Sequence, residues 1–101
     1  MEKMKILIAE DEKICQSAVV NLGKRLGVEV EVANNGKEAV EMASKYEYKM
    51  ILMDMFMPEM NGDKATEQIR NGTVNRNTII IALSGGKNFI LNIKHFIIIN
   101  R

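Results

Sequence analysis

Short apolar runs rich in branched residues alternate along this chain with segments whose apolar residues recur at helical spacing, and few folds accommodate that pattern. Lys5-Ile6-Leu7-Ile8-Ala9 is the first such run, continuous enough to suit a strand covered on both faces. Asp11 can then cap a helix whose apolar positions Ile14, Ala18, Leu22 and Leu26 form one stripe and which ends near Gly27. The unit repeats. Val28 to Ala33 reads as a strand, Asn34-Asn35-Gly36 as a turn with a capping side chain, and Lys37 to Tyr46 as a helix through Ala39, Val40 and Ala43. Met50-Ile51-Leu52-Met53 is a third strand, Gly62 to Arg70 a third helix stopping at Asn71-Gly72, and Thr78 to Leu83 a fourth strand. Beyond it, Gly85-Gly86-Lys87-Asn88 reads as a loop, Phe89 to Lys94 as a short helical segment and Phe96-Ile97-Ile98-Ile99 as a fifth strand. Strands and helices in alternation predict a parallel α/β sheet between helix layers, joined by right-handed crossovers.

Composition narrows the function classes. At 101 residues the chain has room for one core and one domain, spanning residues 1–101. A net charge of +1 with acids and bases interspersed provides no basic stripe for a nucleic-acid backbone. No long uncharged apolar run or secretory leader is visible, so a soluble, cytoplasmic protein without membrane contact is expected. Cys15 is the only cysteine, which excludes an intrachain disulfide and a cysteine-clustered zinc site, and leaves it a helix-packing role. His95 has no second histidine or cysteine to complete a transition-metal site.

In open parallel sheets ligands bind beyond the carboxyl ends of the strands. The residues just past those ends are Glu10-Asp11, Asp54 and Ser84-Gly85, three segments expected to converge. Three carboxylates together repel one another unless a cation lies among them, and a hard, oxygen-loving magnesium ion suits that donor set. With such an ion, Asp54 at the end of the central strand is placed to attack a phosphoryl donor. Ser84 could hydrogen-bond a phosphoryl oxygen, and Gly85 would let the backbone come close. Met50, Met53, Met55, Met57 and Met60 are better read as packing than as metal ligands, with Met55 and Met57 a candidate contact patch beside the site. Gly85-Gly86-Lys87-Asn88 lacks the upstream glycine and following hydroxyl of a nucleotide phosphate loop.

Glu10-Asp11 after the first strand, Asp54 with Met57-Pro58 and Gly62 behind it, and Ile81-Ala82-Leu83-Ser84 together resemble the response-regulator receiver family, over about residues 4 to 85. The relevant kinds are the chemotaxis-type single receiver and the receiver of a hybrid histidine kinase. The resemblance implies a three-layer α/β/α sandwich of flavodoxin-like type with strand order 2-1-3-4-5. It implies that Asp11 and Asp54 bind magnesium with the backbone carbonyl of Phe56, that Glu10 helps through water, and that Asp54 becomes an acyl phosphate. It further implies that Ser84 shifts toward the phosphoryl group, and that a histidine kinase or histidine phosphotransfer domain is the donor. Phe56 and Gly86 would tune the lifetime of the phosphate. Such a protein is no conventional enzyme; at most it catalyses its own phosphoryl transfer and dephosphorylation.

The sequence departs from that family after the fourth strand. The family's lysine, which ends the fifth strand and is usually followed by proline, would fall beyond Arg101, and Phe96 to Ile99 is followed by Asn100-Arg101. Lys87 and Lys94 are the candidates to substitute for it, although Lys87 lies in the loop straight after the fourth strand and Lys94 precedes the fifth, at its wrong end. The final helix is missing from the sequence, which predicts an exposed apolar sheet face and a homodimer through the altered C-terminal face. The alternative function is a degenerate receiver that binds protein partners without phosphorylation. A phosphatase with an aspartate nucleophile is disfavoured because its second aspartate would stand where Phe56 does.

Overall fold

The computed structural model describes residues 4–83 and, as backbone, residues 96–99. Five strands and three helices follow one another as β1 (Lys5–Ala9), α1 (Lys13–Leu26), β2 (Glu29–Ala33), α2 (Gly36–Lys45), β3 (Met50–Asp54), α3 (Gly62–Asn71), β4 (Ile79–Leu83) and β5 (Phe96–Ile99). They form one sheet in the order β2-β1-β3-β4-β5. The pairs β1–β2, β1–β3 and β3–β4 are parallel, with Ala9 beside both Ala33 and Met53 and with Asp54 beside Leu83. No described helix is long and apolar enough to cross a membrane.

Alternation along each strand sorts the core into two layers. Leu7, Ala9, Ile51, Met53 and Ile80 face α2 and α3, where they pack with Ala39, Ala43, Ala65 and Ile69. Leu52, Ile81 and Leu83 face the other way, toward Cys15 and Val19 of α1. These are the expected three layers, and Cys15 takes the expected packing role. On the α1 side an apolar groove of about 240 Å³ remains between helix and sheet, bounded by Ile6, Val19, Leu26, Leu52 and Ile81.

Helix ends follow local chemistry. The Asn35 side chain accepts from the Glu38 backbone N–H at 2.8 Å and caps α2; that of Asn61 accepts from Lys64 N–H at 3.1 Å and caps α3. At α1 the expectation fails: the cap position is Glu12, and its side chain makes no capping bond. The Glu12 N–H is instead taken by the Glu10 carboxylate at 2.8 Å, which leaves Asp11 out of the cap.

The face of α1 is also not the expected one. Ile14 and Leu26 are 73% and 68% exposed, while Cys15, Gln16 and Gly23 are buried. Gly23 explains the difference, because a Cβ there would run into the Val30 side chain and the Val28 carbonyl. The helix therefore approaches β2 most closely through its one residue without a side chain. The inward stripe Cys15, Val19, Gly23 lies one residue on from the aliphatic stripe, a rotation of about 100°.

The fifth strand occupies the expected place but runs antiparallel to β4, with Phe96 beside Leu83 and Ile99 beside Ile80. Residues 84–95 join β4 to β5, twelve residues, a length that permits either direction. The helical segment expected at Phe89 to Lys94 lies outside the described residues.

Candidate acidic site at the carboxyl ends of β1 and β3

Neighbouring parallel strands end at the same level, and that places the acids. Glu10 follows β1 and still belongs to the ladder, its N–H donating to the Ala33 carbonyl at 3.0 Å. Asp54 is the last residue of β3. Glu10 and Asp54 are buried and Asp11 is exposed, yet one carboxylate oxygen from each of the three comes within 4.8 Å of the others.

Each buried carboxylate is held by a nearby N–H group. Glu10 accepts from Glu12, and the Oδ1 of Asp54 accepts from the Phe56 N–H at 3.0 Å. The segment behind Asp54 is fixed by Met55 N–H to the Leu83 carbonyl at 3.1 Å and Gly62 N–H to the Met55 carbonyl at 3.3 Å. Gly62 lies so close to the Asp54 carbonyl that any side chain there would strike it, which is the reason a glycine opens α3.

The electrostatics are those of a site short of positive charge. Burial pushes the Glu10 carboxyl from 4.5 up to about 7; the Glu12 N–H opposes this, while the charges of Asp54 and Asp11 add to it. Asp54 is raised as well, first by burial and then by the charge of Asp11, against the Phe56 N–H. Among the described residues no ion pair involves these three acids, and the pairs of Lys5 with Glu29 and Glu31 lie at the opposite end of the sheet. Two buried carboxylates and one exposed, all oxygen donors, fit a hard divalent cation that keeps part of its water shell.

Of the residues expected from sequence, Glu10, Asp11 and Asp54 are brought together. Phe56 lies beside them, its side chain 69% exposed and its N–H on Asp54. Ser84, Gly85, Gly86, Lys87, Lys94 and His95 lie outside the described residues. The methionine patch is corrected: Met57 is buried in the core and Met55 packs against it, because the loop after β3 folds back onto α2 and α3. Sequence reasoning passed over Gln16 and Asn34, which grip the Glu10 corner from behind. Gln16 donates to the Glu10 carbonyl at 2.5 Å and to Asn34 Oδ1 at 2.9 Å. A polar residue within the buried face of α1 was the one available signal.

Comparison with known proteins agrees with this geometry. Residues 6–96 match the family model described as response regulator receiver domain. Histidine kinase 5 of Arabidopsis thaliana is 42% identical over 69 residues, which cover 68% of this chain and 8% of that protein. The chain thus spans under a tenth of that relative. Among solved structures, the receiver domain of a sensor histidine kinase from Pseudomonas aeruginosa, with a magnesium ion coordinated in its active-site cleft, superposes with a TM-score of 0.80 at 33% identity, covering 84% of this chain and 70% of that one. The receiver domain of a Saccharomyces cerevisiae response regulator, co-crystallised with the histidine phosphotransfer protein upstream of it, superposes at 0.75 with 27% identity, covering 84% and 66%.

Proposed function

Because this chain belongs to the response regulator receiver domain family, we propose that it accepts a phosphoryl group on Asp54 from a histidine kinase or histidine phosphotransfer protein and switches conformation in response. The observation that carries the reading is the meeting of Glu10, Asp11 and Asp54 within 4.8 Å at the carboxyl ends of adjacent parallel strands. The yeast receiver crystallised with its phosphotransfer protein supports the class of donor.

Asp11 and Asp54, with the Phe56 carbonyl and with Glu10 through water, would hold magnesium. When bound, that ion neutralises charge on phosphoryl oxygens and orients the incoming group. The residues of the chain do the rest. The Phe56 N–H on Oδ1 fixes the plane of the Asp54 carboxylate before reaction. A carboxylate oxygen of Asp54 then forms a bond to phosphorus as the donor's phosphorus–nitrogen bond breaks, the imidazole leaves with a proton, and an acyl phosphate remains. Ser84, next in sequence after Leu83, is assigned a hydrogen bond to a phosphoryl oxygen, and Gly85 the close backbone approach. Lys87 is assigned the neutralising cation. Lys94 competes for that role, since the N-terminal residue of β5, Phe96, pairs with Leu83 beside Asp54.

Intact-mass measurement after incubation with acetyl phosphate and magnesium tests this. One phosphoryl group is expected, absent from Asp54→Asn and from metal-free protein. A folded, magnesium-bound wild type whose mass never changes would refute phosphorylation and leave a receiver acting by protein contact.

A further inference from the structure

The exposed member of the acidic cluster, Asp11, can contribute to a shared site only if the corner that carries it is held still. That corner is gripped at its Glu10 end. The Glu10 N–H is bound by Ala33, its carboxylate holds the Glu12 N–H, and its carbonyl accepts from Gln16 Nε2 at 2.5 Å. The same Gln16 nitrogen donates to Asn34 Oδ1 at 2.9 Å, so both hydrogens of the primary amide are engaged. Asn34 Oδ1 also accepts from Lys13 Nζ at 3.3 Å. Asn34 is tied to α2 in turn, its backbone N–H and side-chain Nδ2 donating to Glu38 Oε1 at 2.9 and 3.2 Å. One buried amide therefore links the end of β1 to the end of β2 and the first turn of α2.

We propose that Gln16 is a positioning residue for the acidic site. By holding the Glu10 carbonyl and using Asn34 as its anchor, it fixes the peptide that presents Asp11 and so sets divalent-cation affinity without touching the cation. The inference rests on the reading of Glu10, Asp11 and Asp54 as a magnesium site. Hydrogen bonds that orient metal ligands typically change affinity by about 10- to 100-fold when removed. Gln16 acts through backbone, so the low end applies.

The experiment is calorimetric titration of folded protein with magnesium chloride, alongside thermal melting without metal. Gln16→Met keeps the length and unbranched shape of the side chain and removes both donors. Its magnesium Kd should rise about tenfold, a change that helix packing alone would not produce in protein titrated well below its melting point. Asn34→Ala, at an exposed position, should weaken binding in the same direction. The double variant should be no weaker than Gln16→Met, because Asn34 acts through Gln16. Wild type that binds no magnesium overturns the metal-site reading and this inference with it. Wild-type binding with Kd unchanged in both single variants, whatever their melting points, overturns this inference alone. Should Gln16→Met not fold, unchanged affinity in Asn34→Ala is sufficient to overturn it.

Discussion

Replacing Glu10 by glutamine should stabilise the metal-free protein, and the gain should depend on pH. In the folded state burial and neighbouring acids raise the Glu10 carboxyl from 4.5 to about 7. The folded protein therefore binds this proton more tightly than the unfolded chain, and stability falls as pH rises from about 4.5 through about 7. At about 1.4 kcal/mol per tenfold change in proton affinity, the penalty approaches about 3 kcal/mol near pH 8 and shrinks to under about 1 kcal/mol near pH 5. Glutamine has the same shape, keeps an oxygen for the Glu12 N–H and carries no charge. Urea unfolding of both proteins without magnesium should give a difference near pH 8 that collapses near pH 5. Saturating magnesium should remove or reverse it, since the ionised acid is then useful. An equal gain at both pH values, or none near pH 8, would refute the electrostatic account.

Other substitutions probe other parts of the reasoning. Asn75 is 1% exposed and its side chain makes four hydrogen bonds, donating to the Ala43 and Tyr46 carbonyls and accepting from the Tyr48 N–H and Thr78 hydroxyl. Asn75→Ala strands buried backbone groups and should lower stability by about 3–5 kcal/mol, measured by chemical denaturation. Gly62→Ala should cost about 1–3 kcal/mol by overpacking against the Asp54 carbonyl and also weaken magnesium binding in a titration. Ile14→Lys, on the exposed side of α1, should change stability by less than about 0.5 kcal/mol; a large loss in thermal melting would mean that the helix turns its aliphatic stripe inward.

The strands and the acids were legible in the sequence because both are written locally. Lys5–Ala9 and Phe96–Ile99 are strands at the residues where apolar runs lie, and the remaining boundaries shift by a residue or so. Glu10 and Asp54 converge because an acid after an apolar run in a parallel sheet must emerge at one edge. Tertiary structure decided what local pattern could not. Ile14, Ala18, Leu22 and Leu26 have the right period for a buried stripe, but α1 packs on β2 at Gly23, which leaves Ile14 exposed and Leu22 and Leu26 on the rim of the apolar groove. The direction of β5, antiparallel to β4, is not encoded in the periodicity of an apolar run. The amides of Gln16 and Asn75 find partners as far as 18 and 32 residues away in sequence. Their roles arise only once folding has removed water and left a buried carbonyl that needs a donor.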